Sequence, residues 1–273
     1  MRDVECACWY ASGCDRRLLL LLLLLLLLLL SLLLFFCNWV GGGNDWYCKC
    51  SFADCSANPA WWIEKDVIRT DRDVEEFREA KSEWLVRLNH ILMAHFMSNI
   101  DLGYMQGMND VAALMLRVSC GEEVEAFWLF RGAMAVMAEN FRAGMQEIMA
   151  QLGRVGTLLA VFDPQLHEHL VSIDAISMHF CFRWVLLHFK RELEFDQVCY
   201  LWEMLWTSPH VHMVLFVVAR ILMDMREELL ARTRTIEDAM VVVQQTPLVR
   251  DIKDVVCRAD ALREAYCSAP LRL

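Results

Sequence analysis

At 273 residues the chain has room for one domain with an added segment. The formal net charge is −10, of which residues 1–60 carry only −1. The rest is therefore acidic, with no electrostatic footprint for a nucleic-acid backbone, and nucleic-acid binding is excluded as an expectation.

Hydrophobic residues make up 57% of the chain, above the roughly 45–50% of a soluble domain, and the excess is local. Residues 1–17 form a flank ending in Arg16 and Arg17, and residues 18–40 are a poly-leucine hydrophobic segment. From Leu18 to Cys37 only Ser31, Phe35, Phe36 and Cys37 interrupt the leucines. At about 1.5 Å rise per residue such a run reaches roughly 30 Å, enough for a single-pass membrane anchor. The arginines before it place the N-terminus in the cytosol and everything beyond it on the far side. A signal peptide has a shorter apolar core and a small-residue cleavage motif, which is missing. Homopolymeric leucine reads equally as a low-complexity expansion, since it carries no packing information. Residues 41–60 form an irregular linker with Gly41-Gly42-Gly43 and loose cysteines. Cys48-x-Cys50-x4-Cys55 lacks the second pair of a zinc site, so no metal is expected. The five cysteines from Cys120 onward are scattered among apolar neighbours and read as small buried hydrophobes of a reducing compartment.

Residues 61–267 read as an all-α domain. Trp84, Leu88, Ile91, Leu92, His95 and Phe96 recur at three- and four-residue steps, one face of an amphipathic helix. Phe127, Phe130, Met134, Met137 and Phe141 mark another. Asp163-Pro164 is an N-cap followed by proline at the first helical position. Phe180, Trp184 and Leu187, then Phe195 to Trp206, predict two more helices, and Thr235 with Asp238 predicts a capped start before Ala239. Together these make a compact bundle of about eight to eleven helices with no repeat or sustained heptad.

The usual catalytic signatures are missing. No Gly-rich loop ends in Lys-Ser/Thr, and neither His-Glu-x-x-His nor Gly-x-Ser-x-Gly occurs. His167 and His169 stand two residues apart, which does not put them on one helix face. His179 and His188 lie among aromatics and read as core or edge histidines.

Two segments carry a resemblance. Ile63-Glu64-Lys65-Asp66-Val67-Ile68-Arg69-Thr70 has an aliphatic residue, an Asp and an Arg at three-residue steps. Asp101-Leu102-Gly103-Tyr104-Met105-Gln106-Gly107-Met108-Asn109-Asp110 contains Tyr-x-Gln-Gly. Downstream come Phe182-Arg183-Trp184, Phe189-Lys190-Arg191-Glu192-Leu193 and Leu201-Trp202-Glu203. In this order they resemble the TBC domain of Rab GTPase-activating proteins, over residues 61–267.

The resemblance implies a fold, a partner and a site. The fold would be the compact multi-helix TBC domain, and the partner a Rab-family small GTPase in its GTP-bound form. The chain would hold no cofactor, because GTP and Mg2+ sit on the partner. By resemblance Arg69 is the arginine finger and Gln106 the glutamine finger. A guanidinium stabilises charge on the transferring phosphoryl group, while a carboxamide can orient the attacking water. Asp66, one turn before Arg69, would hold the guanidinium or the local backbone. Gly103 and Gly107 would permit the turn that lifts Gln106, and Tyr104 would support it. Arg183 and Trp184 read as structural. The implied location is the cytosol or the cytoplasmic face of endomembranes, which conflicts with a far-side topology for the domain. Nothing in residues 1–60 matches the Arg-x-x-x-Trp helix with which the family's domain opens. This departure makes a TBC module that binds without activating the alternative.

Overall fold

The computed structural model describes residues 59–208, 212–245 and 251–268. The poly-leucine segment and Cys48, Cys50 and Cys55 lie outside these residues. Among the described residues no helix is long and apolar enough to cross a membrane.

The described residues contain thirteen α-helices and no strand. In chain order they are α1 (Pro59–Arg69), α2 (Glu75–Arg78), α3 (Glu83–Ser98), α4 (Met108–Val118), α5 (Glu123–Met137), α6 (Gln146–Phe162), α7 (Pro164–Ser172), α8 (Phe182–Leu186), α9 (Phe195–Thr207), α10 (Met213–Asp224), α11 (Arg226–Arg232), α12 (Ile236–Gln245) and α13 (Ile252–Ser268). Short 3-10 turns occupy Ala138–Phe141 and His179–Cys181. Eight to eleven helices were expected; α2, α8 and α11, of 4, 5 and 7 residues, are too short to show a periodic face.

Each predicted face has found a partner. Leu85, Leu88, Ile91, Leu92 and His95 are the buried stripe of α3, which packs on α1, α4 and α5. The Ser82 hydroxyl caps α3 by accepting from Trp84 N at 3.2 Å. From Met108 to Leu116 every residue of α4 is buried, so this helix is the axis of the N-terminal half. In the C-terminal half α10 plays the same part, with Met213 to Ala219 buried between α6 and α13.

Local signals explain the boundaries. Asp163 Oδ1 accepts from Leu166 N at 3.1 Å to open α7 ahead of Pro164. Thr235 and Asp238 bond reciprocally, at 3.3 and 3.1 Å, at the start of α12. The helix expected through Phe180, Trp184 and Leu187 is broken instead. A 3-10 turn leads into α8, and the chain then reverses through His188 and Phe189, at φ 44° and 63°. Trp202 locks this reversal, donating from Nε1 to the His188 carbonyl at 2.9 Å. Expected burial fails for three cysteines: Cys181 is buried and Cys199 half-buried, but Cys120, Cys257 and Cys267 are exposed. Cys120 sits in the left-handed turn after α4 (φ 55°), where its side chain faces outward.

Candidate functional site

Arg69 is the last residue of α1, and Gln106 stands one residue before Gly107, the N-cap of α4. Both are exposed and both line one groove of about 700 Å³. The residues beneath them are buried, Tyr104 half-buried, and joined.

Asp66 is the hub. Its side chain is 5% exposed, against 55% for Arg69. Oδ1 accepts from Arg69 Nη2 at 2.6 Å and Oδ2 from the Tyr104 hydroxyl at 2.6 Å. Burial first, and then the bond to Asp66, raises the Tyr104 phenol well above its ordinary range, so it stays a donor. The Thr70 hydroxyl donates to the Asp66 carbonyl at 2.7 Å. Asn109 closes the circuit, its Nδ2 donating to Thr70 Oγ1 at 2.8 Å while its Oδ1 accepts from Gly107 N at 2.9 Å. The end of α1 is thereby stitched to the start of α4 on both sides of the two exposed side chains.

The glycines have distinct duties. Gly107 has φ 107°, and a Cβ there would lie 3.1 Å from Leu187 Cδ2 and 3.3 Å from Phe141 Cε1. Gly103 has φ 71° with open space around it, so its demand is conformational alone.

A second network closes the groove from the C-terminal half. Arg191 grips Asp110 with two bonds, Nε to Oδ1 at 2.9 Å and Nη2 to Oδ2 at 2.8 Å. The bond to Asp110 also raises the Arg191 pKa. Lys190 Nζ bonds Asp71 and lies 3.8 Å from Asp110 Oδ1. The reversal at His188 and Phe189 aims Lys190 and Arg191 back at α4. Arg183 is exposed and pairs with Glu192, whose carboxyl is pushed up by burial and pulled down by Arg183. Trp184 is buried against Phe189, with ring centroids 5.4 Å apart.

The profile of the Rab-GTPase-TBC domain matches residues 54–230. The chain belongs to the RabGAP-TBC family. It is 38% identical over 212 residues to human TBC1 domain family member 17, covering 76% of this chain and 32% of that protein. Against GTPase-activating protein GYP7 of Yarrowia lipolytica it is 30% identical over 224 residues, 73% of this chain and 30% of that one. The chain thus spans about a third of the length of these relatives. The crystal structure of the Ypt/Rab-GAP domain of Gyp1p superposes with a TM-score of 0.68 at 20% identity, covering 79% of this chain and 77% of that chain. The Chlamydomonas flagellar RabGAP TBC domain superposes at 0.62 and 22%, covering 75% and 67%. At these identities the two structures establish the all-α TBC fold.

Within this TBC domain, sequence reasoning named Asp66, Tyr104, Gly103 and Gly107 around Arg69 and Gln106, and all six lie at the junction of α1 and α4. It gave no role to Thr70, Asn109, Asp71, Asp110, Lys190 or Arg191. Asn109 carried a usable signal: an Asn two residues after a turn glycine can bond back to that glycine's amide. Among the described residues no group of three or more His, Cys, Asp or Glu could hold a metal. His169 is half-buried, bonding Thr233 Oγ1 at 2.8 Å, and His179 is exposed.

Proposed function

We propose that the chain activates GTP hydrolysis on a GTP-bound Rab-family GTPase, with Arg69 and Gln106 completing the partner's active site. One observation carries this reading: two exposed side chains of the right chemistry share a groove, while the residues at their bases are buried and cross-linked. Asp66 engages only Nη2 of Arg69, so the remaining guanidinium donors stay available to oxygens of the transferring phosphoryl group. Gln106 offers a donor and an acceptor together, as holding a water in line requires. The protein supplies positioned groups, and the partner supplies nucleotide and Mg2+. The site of action is the cytosol or the cytoplasmic face of endomembranes.

A second reading, a TBC module that binds a GTPase without activating it, draws on α1 itself. Trp61, Trp62 and Ile68, on the helix that carries Arg69, are exposed, an apolar surface suited to binding that involves no catalytic group.

The deciding experiment measures single-turnover GTP hydrolysis by a panel of Rab proteins with the full chain and with Arg69→Ala and Gln106→Ala. An arginine finger in trans contributes about 10³–10⁵ in rate, so Arg69→Ala should abolish stimulation. Gln106→Ala should do the same with an unchanged melting temperature, since its side chain is exposed. Binding without stimulation by the well-folded wild type would select the second reading.

A further inference from the structure

Six cations line the groove: Arg69, Arg72, Arg117, Arg183, Lys190 and Arg191. Four are neutralised from within, Arg69 by Asp66, Arg183 by Glu192, Lys190 by Asp71, and Arg191 by Asp110. Arg72 spends a donor on the Phe77 carbonyl at 3.1 Å. Arg117 has a different engagement. Its guanidinium carbon lies 4.1 Å from the centroid of the Phe195 ring, and no carboxylate pairs with it among the described residues.

This arrangement is specific. A cation–π contact with a ring spends no N–H donor, so the guanidinium keeps its donors for a carboxylate, which arginine can take with two bonds. Stacking also fixes the side chain in advance, so less entropy is lost when a partner arrives. The position fits as well. Asp110, Leu114 and Arg117 fall on one face of α4 and line the groove along its length. The helix rises about 1.5 Å per residue, which puts Arg117 roughly 13 Å from the end of α4 that follows Gln106. Of the nearby groove acids, Glu194 forms the capping box of α9, and neither it nor Asp73 makes an ion pair with Arg117.

We infer that Arg117, held over Phe195, is a docking residue that receives an acidic side chain of the partner GTPase at the end of the groove remote from Arg69 and Gln106. The inference rests on the GTPase-activating reading and adds to it the chemistry of a second contact. Arg117 touches no reacting atom. It supplies ground-state and transition-state affinity equally, which appears in KM and not in kcat.

The test uses the full chain and whichever Rab of the panel it stimulates, with kcat and KM measured for wild type, Arg117→Ala, Arg117→Glu and Phe195→Leu. KM should rise about tenfold for Arg117→Ala and further for Arg117→Glu, at unchanged kcat. Phe195→Leu should raise it less. The wild-type KM should also climb more steeply with salt than that of Arg117→Ala, which a merely structural role would not produce. An unchanged KM in Arg117→Glu, while Arg69→Ala still abolishes stimulation, overturns the inference and leaves the finger reading standing. A fall in kcat alone also overturns it. Where no Rab is stimulated, the finger reading fails by itself, and binding to Rab proteins loaded with a non-hydrolysable GTP analogue decides the matter. Binding lost in Arg117→Glu sustains the docking role; equal binding, or none by the wild type, rejects it.

Discussion

Replacing Asn109 by Ala removes one link between α1 and α4, leaving the Tyr104–Asp66 bond in place, without touching either exposed side chain. Asn109 is 1% exposed, and its two good bonds differ in what they leave behind. Thr70 Oγ1 still donates to the Asp66 carbonyl, so it loses only an optional acceptance. Gly107 N loses its acceptor, and an orphaned buried amide costs about 1–3 kcal/mol. The small void left by the carboxamide adds about 1 kcal/mol. The sum is roughly 2–4 kcal/mol, which in a domain of this size lowers Tm by about 5–15 °C. Thermal unfolding followed by circular dichroism measures it. At a temperature where the variant stays folded, stimulated hydrolysis should also fall by about 100-fold, because a displacement on the order of 1 Å is enough. Asn109→Asp is the informative companion. It keeps an oxygen for Gly107 N but adds a buried carboxylate near Asp66, so its defect should shrink as the pH falls and it protonates. An Asn109→Ala protein melting within 2 °C of wild type would refute the reasoning.

Two further outcomes follow from the packing. Gly107→Ala forces a side chain into φ 107° and against Leu187 Cδ2 at 3.1 Å; it should cost about 1–3 kcal/mol and reduce stimulated hydrolysis, whereas an unchanged urea midpoint and rate would contradict the turn's role. His95 is held at a pKa of about 4 by burial, with Arg131 adding to the effect, against 6.5 when free. The folded state therefore keeps it neutral while the unfolded chain protonates below pH 6.5, so its contribution is whole above that pH and is lost as the pH falls towards 4. His95→Leu should accordingly lose about 2–3 kcal/mol less stability between pH 7 and pH 4.5 than wild type, and equal losses in the two urea titrations would reject this assignment.

Helices whose signal is local were legible in the sequence. The stripe of α3, the Asp163 cap and the Thr235–Asp238 pair each depend on residues within a turn or two, where a helical period dictates which side chains meet. The motif that carried the resemblance also placed Arg69 and Gln106, and the structure sets both on one groove. What stayed hidden depends on tertiary proximity. Asn109 meets Thr70 across 39 residues, Arg191 meets Asp110 across 81, and Lys190 meets Asp71 across 119. No periodicity reports such pairs. The left-handed residues His188 and Phe189 were nearly silent: a single histidine only mildly favours that conformation, and phenylalanine does not favour it at all. They truncate the helix expected through Leu187 and turn Lys190 and Arg191 towards the groove.

On the proposed reading, the two networks divide the work of completing a partner's active site. An arginine offered in trans is useful only if little of its binding energy goes into ordering it. Asp66 meets that demand at low cost to reactivity. It is buried and already committed to Tyr104 through one oxygen, so it restrains Arg69 through a single guanidinium nitrogen with the other. A bidentate grip, such as Arg191 makes on Asp110, would occupy the edge that a phosphoryl oxygen needs. The contrast explains why two Asp–Arg pairs in one groove differ in geometry. Asp110–Arg191 joins the halves of the domain and gains from full engagement, while Asp66–Arg69 leaves most of the guanidinium free for the partner.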